Sequence, residues 1–168
     1  MRNIYTIADT HLGHKNIIKY CNRPFKSVEE MDNTIINNWN NIVSKDDIIY
    51  HCGDFAFGTK EQIINYAKQL NGYIILIRGN HERSSIKFYE EECGFEVIKG
   101  KKYWTLAFKK NNKLNKYIFS HKPMENIPED TINIHGHIHN YPLSNNFNPN
   151  THMCVSVEMT NYKPIKLL

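Results

Sequence analysis

The sequence holds no apolar run of the about 18 residues that a membrane-spanning helix needs, so no membrane span is expected. Cysteine is sparse. Cys21, Cys52, Cys93 and Cys154 lie far apart and form no C-x-x-C pair, which excludes a zinc ribbon or a dithiol redox motif. In a reducing compartment all four are expected as free, structural thiols, with Cys52 drawing interest only because it sits beside Asp54. Internal repeats, low-complexity tracts and linkers are missing. Charge of one sign is scarce too. A net charge of +4 tolerates an anionic substrate without indicating nucleic acid, and no aromatic-plus-basic stretch stands out. The N-terminal Met1 to Tyr5 shows no signal-peptide pattern, so a cytoplasmic location is the default expectation.

What is present suits one domain spanning residues 1–168. The length supports a real core but not a substantial capping domain, and 40% hydrophobic with 23% charged residues is a globular composition. The pattern predicts a strand from Arg2 to Ala8 and a loop with short helical character to Phe25. Ser27 and Glu30 form a capping-box signal for a helix running to about Val43, with Met31, Ile35, Trp39 and Ile42 as its apolar stripe. A strand from Asp47 to His51, a helix from Lys60 to Leu70 closed by Asn71-Gly72, a strand from Tyr73 to Ile77 and a short helix from Ser85 to Glu92 follow. This alternation predicts a parallel α/β layer. The second half predicts a hairpin of Tyr103–Phe108 and Lys116–Ser120 about Asn111-Asn112, then strands from Thr131 to Gly136 and from His152 to Glu158. Two packed sheets with helices outside are the expected result.

Five islands follow apolar runs that read as strands: Asp9-Thr10-His11, Gly53-Asp54, Gly79-Asn80-His81-Glu82, His121, and Gly136-His137-Ile138-His139. Each is weak alone; the ordered set is specific. In an extended backbone residues i and i+2 share a face, so Asp9 with His11, and His137 with His139, can each grip a metal. Gly53 and Gly136 let the chain approach the ions closely. Asp54 has two oxygens and is the natural bridge between two ions, and Asn80 offers a neutral amide oxygen. The adjacent His81 must point elsewhere, toward substrate, as a general acid or a donor to phosphate oxygen. A carboxylate-bridged pair of divalent metals is expected, with manganese first and iron, zinc or nickel as alternatives, because all accept mixed nitrogen–oxygen ligands. The chief use of such a pair is phosphate-ester hydrolysis through a metal-bridging hydroxide.

His14, on the loop after Asp9 and His11, is a candidate substrate contact, as is Arg23, whose guanidinium matches phosphate geometry. Lys15 is a weaker one. His51, His135 and His152 are expected to be structural.

The ordered set resembles the calcineurin-like metallophosphoesterase superfamily, whose pattern is D-x-H, G-D, G-N-H-[D/E], H and G-H-x-H. The match spans nearly the whole chain, and the size is similar to that of small single-domain bacterial and phage phosphodiesterases. The stretches Asp9-Thr10-His11-Leu12-Gly13-His14, Cys21-Asn22-Arg23-Pro24-Phe25 and Asn161-Tyr162-Lys163-Pro164 resemble a phage-like subgroup. The resemblance implies a four-layer α/β/β/α sandwich of two mixed sheets. It implies one metal on Asp9, His11, Asp54 and His139, a second on Asp54, Asn80, His121 and His137, and a catalytic His81. Glu82 stands where many small members carry Asp, and Lys122 where they often carry an aromatic. Phosphodiesterase activity is the first expectation, because a small, lid-free chain leaves an open site. A phosphomonoesterase, a nuclease or a non-catalytic interaction scaffold are the alternatives. A phosphate-ester substrate, nucleotide or nucleic acid among them, is the expected partner. Either a monomer or a homodimer is expected.

Overall fold

The computed structural model describes residues 2–100, 102–110 and 112–168. Its elements run β1 (Ile4–Ile7), α1 (Ile17–Tyr20), α2 (Val28–Asn40), β2 (Ile48–His51), α3 (Lys60–Gln69), β3 (Tyr73–Leu76), α4 (Ile86–Glu91) and β4 (Glu96–Val97). Then come β5 (Tyr103–Lys110), β6 (Lys113–Ser120), β7 (Thr131–His135), β8 (His152–Cys154), a 3-10 turn at Val157–Met159, and β9 (Ile165–Lys166). Among the described residues no helix is long and apolar enough to cross a membrane.

The first sheet has the order β4-β3-β2-β1-β9, and the second β5-β6-β7-β8. Both are mixed: β9 runs antiparallel to β1, and β5 antiparallel to β6, while the other pairs are parallel. The strands of the first sheet read as continuous apolar runs because both of its faces are buried. Ile49, Ile74 and Leu76 join Met31, Ile35, Trp39 and Ile63 of α2 and α3 in one core. Tyr50, Ile75 and Ile77 point the other way, into a second core with Phe119 and Ile134 between the sheets. Over the outer face of the second sheet the covering layer is loop. There Met124 N donates to Asn133 Oδ1, and His152 links the carbonyls of Met124 and Asn148.

Register positions the loops that matter. Ile7 pairs with His51 and His51 with Leu76, so β1, β2 and β3 end side by side. Ser120, His135 and Cys154 do the same in the second sheet. Ala8 N donates to Val155 O and Val157 N to Ala8 O, which joins the two sheets at those ends.

Several expectations are revised. Ser27 Oγ accepts from Glu30 N, but the Glu30 carboxylate reaches Lys26 N rather than Ser27 N; the complete capping box is at Thr59 and Gln62 of α3. Ile42 is 38% exposed, because α2 ends at Asn40 and the turn beyond rotates Val43 inward instead. The strand predicted from His152 to Glu158 stops at Cys154, where the chain leaves its sheet to bridge Ala8 through Ser156. β4 and β9 have two residues each, too short for a periodic signal. Asn111 lies outside the described residues, and Asn112 takes a left-handed φ of 60°.

Ile49 is fully buried at the centre of the first core. Ile49→Ala should lower unfolding stability by about 2–5 kcal/mol. Ile42→Ala should change it by less than about 0.5 kcal/mol, since that side chain already meets solvent. Urea denaturation of the two variants checks the contrast.

Candidate metal centre

The adjacent strand ends deliver all five islands to one place. Asp54 Oδ2 is the meeting point. It lies 3.6 Å from His11 Nε2, 3.5 Å from His121 Nε2 and 4.0 Å from His81 Nε2. Asp9, His11 and His139 can bring one ligand atom each within 4.8 Å of one another, as can Asp9, Asp54 and His121. On the other side of Asp54, His121 Nε2 is 2.8 Å from Asn80 Oδ1 and 3.1 Å from His137 Nδ1. All seven residues expected as ligands are therefore brought together, and the two clusters whose ligand atoms lie within 4.8 Å of one another share Asp9.

Convergence is achieved differently from the expected pleat. Asp9, His11, Asp54, His137 and His139 all have positive φ, at 54°, 47°, 57°, 70° and 52°. Non-glycine residues adopt this left-handed region at a cost of about 1–3 kcal/mol each, and mostly where the surroundings over-determine them. Here the surroundings are paired loops. Asp9 N donates to Gly53 O, His11 N to Asp54 O and His137 N to the Asp9 carboxylate. Gly136 fits because a Cβ there would strike Asp9 Oδ2 and Ala8 Cβ. Gly79, whose role the sequence did not reveal, has no space either: a Cβ would strike Asp54 Oδ1 and come within 2.8 Å of His121 Cε1.

The donor set fits a divalent cation. Asp9 Oδ1 and His11 Nε2 are buried without a hydrogen-bond partner, a costly condition that a cation between them would relieve. Burial pushes the Asp9 carboxyl up to about 7, despite the nearby His139 and the Ser156 hydroxyl. Burial also drives His11 far below its ordinary value and lowers His121, and burial with the nearby His121 takes His137 to about 4, so these imidazoles are neutral and offer lone pairs. His121 Nδ1 donates to Cys52 O, which leaves Nε2 facing the cluster. Burial alone would lower His139, but its bonds to Cys21 and Glu158 raise it to about 10, so a cation must displace a proton there.

A model of the calcineurin-like phosphoesterases matches residues 2–163. The chain belongs to the calcineurin-like phosphoesterase family. An uncharacterized protein of the archaeon Methanocaldococcus jannaschii is 41% identical over 99% of this chain and 88% of its own length. The gene 66 protein of Mycobacterium phage L5 is 36% identical over 49% of this chain and 41% of that protein. A crystal structure of a protein of unknown function from Aquifex aeolicus superposes with a TM-score of 0.68 at 26% identity, covering 99% and 96% of the two chains. The family's chemistry is metal-dependent phosphoester hydrolysis.

Around the donors this phosphoesterase carries a buried polar layer that the sequence hid. Arg23 corrects the expectation of a phosphate clamp. It is 3% exposed, and its guanidinium donates to Glu158 Oε1, to the carbonyls of Asp9 and Thr10, and to Met31 Sδ. Its charge goes to the Asp9–His11 backbone and not to substrate. Glu158 Oε1 also accepts from His139 Nδ1 at 3.0 Å, which turns His139 Nε2 toward the cluster. Ser156 Oγ donates to Asp9 Oδ2. The Glu82 carboxylate is bonded to backbone amides. Its two oxygens accept from Phe55 N and Gly79 N, tying the Asp54 loop to the Asn80 loop. His51 Nε2 donates to Thr10 Oγ1, itself a donor to Phe55 O, so His51 is structural as expected. His135 is fully buried, and His152 serves as a loop clamp. Cys52 is buried, with its thiol pushed up by burial, and all four cysteines are free. His14 stacks on Phe57 at 4.0 Å and borders His11, while Lys15 is exposed. The position of His14 at the rim keeps it a substrate candidate. No signal short of the tertiary contacts singles out Glu158 or Ser156.

Gly79→Ala has an unstrained φ to inherit, so its effect should be local: the folded protein should lose metal, read as stoichiometry by elemental analysis beside an unchanged far-ultraviolet spectrum. Glu158→Gln should weaken metal affinity by roughly 10–100-fold, the usual effect of removing a carboxylate behind a ligating histidine. Titration calorimetry with Mn²⁺ measures it, and wild-type affinity in the variant would deny Glu158 that role.

Proposed function

We propose that this phosphoesterase is a dinuclear phosphodiesterase. The observation that carries the reading is Asp54: one carboxylate oxygen within 3.6 Å of an imidazole nitrogen from each of two donor groups. The first group would be Asp9, His11, Asp54 and His139, and the second Asp54, Asn80, His121 and His137. A divalent pair held by these residues, manganese being our first choice, would supply Lewis acidity toward water and a phosphoryl oxygen.

The chain's own residues supply the rest. Asp54 Oδ1 accepts from His81 N at 2.9 Å, which fixes the loop that carries the His81 ring. That ring packs 5.1 Å from Phe57 and 5.6 Å from His11, yet the side chain keeps 38% exposure. It is held beside the donors and open to substrate. His81 gives its proton to the leaving ester oxygen. Asn80, through its side chain, and His14, at the rim, orient the phosphoryl group. The centre opens to the surface at His81 and His137, which suits an ester with substituents on both sides of phosphorus.

The test compares bis(p-nitrophenyl) phosphate with p-nitrophenyl phosphate after chelation and Mn²⁺ re-addition. Diester cleavage should return with metal and vanish in Asp54→Asn. His81→Asn should lower kcat by roughly 10²-fold or more while metal stoichiometry stays at the wild-type value. Cleavage of the monoester alone moves the assignment to a phosphomonoesterase, and metal loss in His81→Asn removes its catalytic role.

A further inference from the structure

The donor cluster has two unlike walls. On the His11 side stand His81, His14 and Phe57, three rings in contact. On the His121 side a groove of about 680 Å³ opens directly from Asn80 and His121. That volume lies within the ~300–1,000 Å³ of ordinary small-molecule sites. Arg78, Lys102, Tyr103, Lys122 and Met124 line it as well.

Its charge is unusual. Among the described residues three cationic side chains line the groove and no carboxylate does. Arg78 is partly engaged, donating to the carbonyls of Glu82 and Ser84. Two lysines beside a centre built for divalent cations repel it and one another. The scissile phosphate of a diester brings a single negative charge to that centre. An anion further along the groove would offset the repulsion.

Stereochemistry sends the two halves of the substrate in different directions. In-line displacement places the leaving group opposite the attacking water, and His81 protonates that group on its own wall. The substituent that stays on phosphorus is equatorial, to the side of that axis, so it leaves the centre along a different wall from the leaving group. A monoester has no such substituent.

We propose that the groove beside Asn80 and His121 binds the retained side of a phosphodiester, and that Lys102 and Lys122 pair with a second phosphate there, the chemistry of a nucleotide chain. Tyr103 and Met124 give the intervening sugar and base an apolar surface. The proposal rests on the phosphodiesterase reading above.

The test uses thymidine 5′-(p-nitrophenyl phosphate) with and without a 3′-phosphate. Water adds to phosphorus, the bond to nitrophenol breaks, and the nucleotide is retained. In the Mn²⁺-loaded wild type the 3′-phosphate should lower KM about tenfold, the scale of a hydrogen-bonded charge pair. In Lys102→Ala/Lys122→Ala the ratio of the two KM values should fall toward one, which controls internally for general damage. A ratio near one in the wild type, or one preserved in the double variant, overturns the proposal. Failure of the wild type on every diester removes the phosphodiesterase reading instead. Calorimetric binding of thymidine 3′,5′-bisphosphate then decides the groove: about tenfold weaker binding in the double variant supports it, and equal binding overturns it.

Discussion

Asp9 and Asp54 are carboxylates held where water scarcely reaches, and the surrounding structure is organised around that cost. Desolvation alone raises a carboxyl and favours its neutral form, as the raised value at Asp9 shows. Three kinds of group oppose it. The Ser156 hydroxyl and the amides of His137 and His81 donate to the two side chains. The imidazole of His139 favours the charged form of Asp9. A divalent cation on Asp9 Oδ1 would complete the set, and the unpartnered His11 nitrogen beside it says the same. The pocket is poor for a bare anion and good for a metal.

Holding that arrangement demands a stiff frame. Five ligand candidates sit in left-handed backbone, and none of those conformations is intrinsically favoured. They persist because each loop bonds to the next: Asp9 to Gly53, His11 to Asp54, His137 to Asp9. Glu82 ties the Asp54 loop to the Gly79 loop, and Ala8 joins the sheets beneath. The in-register strand ends make these bonds possible, since loops that start at the same height can reach one another. Fold and site are thus coupled through the backbone as well as through the donors.

The surroundings of the centre are asymmetric in a way that bears on substrate. Rings gather on the His11 side, where His81, His14 and Phe57 meet. Cations gather on the His121 side, in a groove with no carboxylate among the described residues. Lys122, which follows the candidate ligand His121 directly, is one of those cations.

Asp, His and Asn identities, their order, and the apolar runs before them were legible in one dimension, because metal chemistry restricts donor types and β-strands leave a periodic or continuous apolar trace. Those features determined the family resemblance, the two-sheet architecture and the seven candidate ligands. The sequence could not show how the ligand pairs converge, since backbone handedness depends on bonds between distant loops. Arg23 read as a phosphate clamp because a basic loop residue looks solvated until Glu158, 135 positions away, is placed against it. The groove was invisible for the same reason: Arg78, Lys102 and Lys122 are single cations in sequence, and only the packing of the two sheets brings them to one surface. Local chemistry is written residue by residue, whereas burial and charge balance are properties of the assembled neighbours.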